Sequence, residues 1–141
     1  MKQARQEAER LVQTYQTRDP FALCEALGIV VLDCPLPQHI RGFYQNYQGC
    51  QLIYLNDELE SGERRAICAH ELGHAILHEE QNFLFMTRHC HYFMSRFEKE
   101  ADLFAAELLI DPAEICDMNV QAIARQWGLS EEIVRLKYEM L

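Results

Sequence analysis

A chain of 141 residues, 49% hydrophobic and 25% charged, is long enough to bury one real core and has the composition of a globular domain. Its net charge of −9 opposes a nucleic-acid phosphate backbone, so no direct nucleic-acid partner is expected. No apolar run reaches the roughly 18 residues of a membrane span, and the polar N-terminus MKQARQEAER is unlike a secretory signal; the chain is therefore read as cytoplasmic, with its six scattered cysteines reduced.

In chain order, Ala4, Ala8, Leu11, Val12 and Tyr15 recur at helical spacing among charges, which predicts an amphipathic helix over residues 3–17. Asp19-Pro20 pairs an N-cap acceptor with a proline at the first helical position; that second helix stops at Gly28. Ile29 to Leu32 is a branched aliphatic run, a strand broken by Pro35 and Pro37. Ile40 to Tyr44 and Gln51 to Leu55 are two further strands, and the polar turn Gln45 to Gly49 between them predicts an antiparallel hairpin. Ser61 can cap the next helix, which runs to about Glu79. Residues 80–95 read as irregular, with His89, Cys90, His91 and Tyr92 close together. A helix over 96–110 follows, then a restart at Asp111-Pro112 and two helical segments near 119–127 and 131–140, punctuated by Gly128 and Ser130.

Chemistry concentrates in CAHELGHAILH, Cys68 to His78. On a helix, His70 and His74 lie one turn apart on nearly the same face and can aim two imidazole nitrogens at one ion. Glu71 sits about 100° round from His70, poorly placed as a third ligand but able to reach a water on the metal. This is the division of labour zinc hydrolysis needs. The bland alternative is a core helix with two satisfied histidines, but two His and a Glu are costly to bury among Ala69, Leu72, Ala75, Ile76 and Leu77 without a purpose. Gly73 leaves room for another element to approach.

A catalytic zinc site has three protein ligands and one open position. The extension H-E-x-x-H-x-x-G-x-x-H fails here, because Leu77 and Glu80 occupy the required positions. His78 lies about 12 Å along the helix from His70 and reads as a supporting or helix-end residue. The segment RFEKEADLFAAELLI has an apolar stripe of Phe97, Ala101, Phe104 and Leu108. Glu100 is read as lying within that stripe, and a carboxylate on a buried face needs a positive partner. Glu100 is therefore the expected third ligand and Glu107 the reserve. Glu98 and Asp102 are expected to face solvent or support the site. The competing reading of Glu100 is an ion pair with Arg65 or Arg96.

With both helices in view, the sequence resembles the ImmA/IrrE-type metallopeptidases. The matching pieces are DPFALCEALGIVV, QLIYLN, AICAHELGHAILH and EKEADLFAAELLIDP, in the family's order across about residues 19–112. Residues 1–18 and the segment His89 to Tyr92 match no motif of the family. The resemblance implies a gluzincin-like site: His70 and His74 match the histidine ligands, Glu100 the glutamate ligand and Glu71 the catalytic glutamate, with Zn2+ as cofactor. It implies a zinc-dependent metallo-endopeptidase acting on a specific protein substrate, a helix-turn-helix transcriptional repressor. The expected fold is α+β and zincin-like: a small antiparallel three-stranded sheet on a metal-binding helix, with additional N- and C-terminal helices. One domain is expected over 1–141, with its core at 19–112 and a C-terminal helical segment at 113–141.

Around this chemistry, His89, His91, Tyr92, Tyr44 and Tyr47 are candidate oxyanion donors. The strand at 51–55, just before the metal helix, is a candidate for pairing with extended substrate. The rival reading is a DNA-binding or protein-interaction regulator whose zinc site lacks protease activity. Ile123 to Lys137 carries Ala124, Gly128 and Val134 at helix-turn-helix spacing, but its second helix opens Ser130-Glu131-Glu132, which would set carboxylates against phosphates. A metal-bearing module without activity would have no use for Glu71.

Overall fold

The computed structural model describes residues 1–80 and 91–139, with side chains in the helix from His91 described from Arg96 onward. Helix α1 (Lys2–Tyr15) buries Ala4, Ala8 and Leu11 of the face its spacing predicts, while Tyr15 of the same series stands exposed at the helix end. Helix α2 (Pro20–Leu27) starts where Asp19 accepts a hydrogen bond from the Phe21 N–H and ends at Gly28, whose φ of 75° is strained for other residues.

Three strands follow: β1 (Val30–Cys34), β2 (Gly42–Tyr47) and β3 (Cys50–Asn56). β2 and β3 form the expected antiparallel hairpin, with Tyr47 opposite Cys50. Its turn is tighter than predicted: only Gln48 and Gly49 lie outside the ladder, both at positive φ (51° and 85°), the conformation that suits twisted strands. The strand order is β1-β3-β2, and β1 runs parallel to β3, so the sheet is mixed where a purely antiparallel one was expected. After β1 the chain skips one position before laying down β2, and the hairpin returns β3 into the gap. β3 is therefore paired on both sides. The expectation that this strand pairs with substrate is corrected: its N–H and C=O groups are already used, and the open edges belong to β1 and β2.

Helix α3 (Ser61–Leu77) carries the HELGH segment; Ser61 is its first residue, and the capping position is taken by Glu60 with no side-chain bond. Helix α4 (His91–Leu109) begins five residues earlier than the predicted start at Arg96. The predicted cluster at His89 and Cys90 lies outside the described residues. Tyr44, Ile53 and Leu55 from the sheet join Leu72 and Ala69 of α3 and Phe104 and Leu108 of α4 in one core. A 3-10 turn (Pro112–Glu114) leads to α5 (Val120–Trp127) and α6 (Glu131–Glu139). These pack through Ile123, Ala124 and Val134 on Ala106 and Ile110. Glu107, the reserve ligand, is buried elsewhere: its carboxylate meets Lys137 Nζ at 2.9 Å and Arg5 Nε at 3.0 Å, tying α4 to α6 and α1. Among the described residues no helix is long and apolar enough to cross a membrane, and Cys24, Cys34, Cys50, Cys68 and Cys116 are free thiols.

Helices α3 and α4 meet at Gly73. A Cβ there would lie 3.1 Å from Phe104 Cδ1 and 3.2 Å from Ala101 Cα, so any side chain would make the helices give by a few tenths of an ångström. Gly73→Val should destabilise the protein by about 1–3 kcal/mol, since overpacking outweighs the small helix-propensity gain. Denaturant unfolding at constant m-value measures it; an unchanged midpoint would show that the helices can part without cost.

Candidate metal centre

The two helices run antiparallel, as their contacts show: His70 meets Asp102, while His74, one turn on, meets Glu98, one turn back. Glu98 reaches both histidines. Its Oε2 lies 2.9 Å from His70 Nε2 and its Oε1 lies 2.9 Å from His74 Nε2. Asp102 Oδ1 sits 2.7 Å from the other nitrogen of His70, Nδ1. Glu100 is turned away from that pair: its Oε2 is 2.7 Å from His78 Nε2 and its Oε1 is 3.1 Å from Arg96 Nε. The structure thus brings Glu98, not Glu100, to the two histidines of the motif, and the ion-pair reading of Glu100 with Arg96 is the observed one.

A signal for Glu98 was present in the sequence. Glu98 and Asp102 are four apart, the same spacing as His70 and His74, so one carboxylate pair on α4 can face one histidine pair on α3. The apolar stripe could not reveal this, because Glu98 and Glu100 lie about 200° apart around the helix and flank the stripe on opposite sides.

The charges respond to this packing. Burial works against ionising Glu98, yet hydrogen bonds to His70 and His74 hold its carboxyl far below the usual carboxylate range. Burial lowers His74 to about 4, only partly countered by Glu98. Burial also opposes the charged form of His70, but Asp102 and Glu98 outweigh it and hold that imidazole well above its ordinary value. The contrast has a plain cause: two carboxylates hydrogen-bond to His70, while His74 has Glu98 and stands between two imidazoles, His70 and His78, that disfavour its charge. Glu71 is 6% exposed, burial pushes its carboxyl up to about 7, and its Oε2 has no hydrogen-bond partner among the described residues.

This donor set fits a metal ion. Two imidazole nitrogens and a carboxylate are ligand types that zinc takes, and Glu98 reaches both Nε2 atoms at 2.9 Å. Donor atoms of His70, Glu71 and His74 also lie within 4.8 Å of one another. Glu71 follows His70 about 100° round α3, and its buried oxygen calls for a polar ligand that the described residues do not supply.

Residues 24–139 match the family model of the IrrE N-terminal-like domain, peptidase M78. The chain belongs to the ImmA/IrrE metallopeptidase family. It is 33% identical over 134 residues to the uncharacterized immunity region protein 2 of Bacillus phage phi105, a match spanning 92% of this chain and 85% of that protein. It is 28% identical over 104 residues to the metallopeptidase ImmA of Bacillus subtilis strain 168, spanning 72% of this chain and 60% of that one. A metallopeptidase family implies a metal ion; in this ImmA/IrrE chain His70, Glu71 and His74 form a candidate group for one, and Glu98 contacts both histidines.

Beside that cluster in this family member lies a cavity of about 240 Å³, lined by His70, Glu98 and Asp102 with Ile67, Leu129 and Ile133. A second of about 480 Å³ shares Glu98, Asp102, Ser130 and Ile133 with it and continues along α6. Among the oxyanion candidates, Tyr44 is buried and engaged: its hydroxyl donates to the Glu79 carbonyl at 2.7 Å and accepts from Gln51 at 3.0 Å. Tyr47 stands 59% exposed on the hairpin. His89 and the side chains of His91 and Tyr92 lie outside the described residues.

Proposed function

We propose that the protein is a zinc-dependent metallo-endopeptidase whose ion is held by His70, His74 and Glu98, with Glu71 as general base. The observation that carries this reading is one carboxylate bridging both Nε2 atoms of an H-E-x-x-H helix, beside a buried glutamate with an orphaned oxygen. Glu98 here takes the place that the sequence reading gave to Glu100. The ion, when bound, supplies Lewis acidity that makes water a nucleophile near neutral pH. Glu71, pushed up to about 7 by burial, is matched to taking a proton from water and returning it to the leaving amine. Asp102 holds the His70 ring from behind.

The substrate in this reading is a helix-turn-helix transcriptional repressor rather than peptides in general. One relative is named for a phage immunity region, and the net charge of −9 favours a partner with a basic face, as DNA-binding proteins have. The adjoining cavities beside Glu98 offer apolar walls at Leu129, Ile133 and Leu136 for a side chain next to the cut. The DNA-binding alternative fares worse: Lys137 of α6 is buried against Glu107, and Glu131 and Glu132 stand in that helix's first turn. The test incubates zinc-loaded protein with a repressor encoded beside it and, separately, with casein. A single cut in the repressor, absent with Glu71→Gln and slower as salt rises, is expected. Degraded casein with an intact repressor would overturn the substrate assignment.

A further inference from the structure

Helix α3 carries a third histidine at the same spacing, His78, which caps its C-terminal end: the His78 N–H donates to the His74 carbonyl at 2.7 Å. The His78 ring is not a bystander. Its Nδ1 lies 3.0 Å from His74 Nδ1, its Nε2 lies 2.7 Å from Glu100 Oε2, and Glu100 Oε1 accepts from Arg96 Nε at 3.1 Å. Phe97 packs its ring edge-on against the imidazole, centroids 4.6 Å apart, and only 7% of His78 is exposed.

We propose that His78 and Glu100 form a hydrogen-bond relay that fixes the tautomer of His74 and brings a carboxylate's charge to bear on it. The relay rests on the metal centre proposed above and gives His78 a positioning role there. Proton accounting admits one arrangement. If His74 gives its Nε2 lone pair to an ion, its Nδ1 must carry the hydrogen. The group facing that N–H is His78 Nδ1, which must then be the acceptor. His78 is therefore neutral with its hydrogen on Nε2, and that N–H points at Glu100. The chain runs from His74 through His78 to Glu100, closed by the Arg96 guanidinium. Within these described contacts no donor faces a donor.

The two histidines of the motif are supported differently. A metal-bound imidazole is oriented by an acceptor on its second nitrogen. His70 has Asp102 directly at 2.7 Å. His74 sits deeper, with no exposure at all, and among the described contacts its second nitrogen meets an imidazole, His78, which in turn meets the Glu100 carboxylate. Glu100 is thus tied to the metal centre without being a ligand, as is the third histidine of the motif.

A packing role for His78 would need only bulk; the relay needs an acceptor where Nδ1 stands. Asparagine places its oxygen near that position, glutamine places its polar end nearer Nε2, and leucine supplies neither. The experiment is titration of the metal-free wild type and the His78→Leu, His78→Asn and His78→Gln variants. Cobalt(II) is read by its ligand-field absorption, zinc by competition with a chelator, and thermal melts of the metal-free proteins control for folding. His78→Leu and His78→Gln should lose about 10–100-fold in metal affinity, the range for outer partners of metal ligands, and His78→Asn should recover most of it. Glu100→Ala should weaken binding in wild type and add little in the His78→Leu background. Affinities within about twofold of wild type for His78→Leu, or equal losses for leucine and asparagine, would overturn the relay. Should His78→Leu fail to fold, the asparagine–glutamine comparison decides alone. A wild type that takes up neither metal would instead bring down the proposed function, and the relay with it.

Discussion

Glu71→Gln should keep its metal and fold while losing turnover by about 10²–10⁴-fold, the usual range for a removed general base. Glutamine has nearly the shape of glutamate but cannot take the proton. The measurement is kcat on the cleaved repressor beside zinc content per chain. Wild-type turnover would remove Glu71 from the mechanism, and lost zinc would make it a ligand. The same variant has a second expected effect in metal-free protein. Burial raises the Glu71 carboxyl from 4.5 to about 7 in the fold, so ionising it there opposes folding. Below pH 4.5 the group is protonated in both states and costs nothing. As pH rises through 7 the full penalty develops, about 3 kcal/mol for 2.5 pH units at 1.36 kcal/mol each. Metal-free Glu71→Gln should therefore match wild type in acid and be the more stable above neutrality. Parallel stability curves across that window would show that the carboxyl is solvated in the metal-free protein.

Glu98→Ala should cost more metal affinity than Glu100→Ala, although sequence reasoning favoured the reverse. Glu98 touches both Nε2 atoms at 2.9 Å, whereas Glu100 touches neither and acts through His78. Removing a ligand should exceed the roughly 10–100-fold loss of an outer partner, so Glu98→Ala should fall beyond that range, with His70→Ala and His74→Ala, and Glu100→Ala within it. Zinc competition with a chelator measures all four. Glu98→Ala proteins that remain zinc-loaded at wild-type affinity, with Glu100→Ala empty, would restore Glu100 as the ligand. Removing Glu98 also leaves His74 buried without its carboxylate, and burial has already lowered that imidazole to about 4. The variant should therefore hold His74 neutral, which leaves metal loss attributable to the missing oxygen and not to a protonated ring.

What could be read from residues alone was what local geometry enforces. A helix of 3.6 residues per turn places His70 above His74 whatever surrounds it. Asp19-Pro20 and Gly28 bound α2 because capping and positive φ are local demands. The β2–β3 hairpin forms where two branched and aromatic runs flank a polar turn. Gly73 likewise marked a close approach before its neighbour was known, since it is the one position in the motif without a Cβ to obstruct one.

Tertiary structure decided everything that depends on which side of one element meets which side of another. β3 became the central strand because the chain skipped a position after β1, a choice that no residue of β3 encodes. On α4, Glu98 and Glu100 flank one apolar stripe on opposite sides, and the wheel by itself gives no reason to prefer either. Antiparallel packing of α4 on α3 about Gly73 and Ala101 turns the Glu98–Asp102 flank to His70 and His74 and leaves Glu100 to His78 and Arg96. The sequence by itself determined which helix holds the histidines and that the neighbouring carboxylates lie on α4. Which carboxylate meets the histidines was decided by the rotation of one helix against another, because periodicity specifies a face but not the neighbour that face will meet.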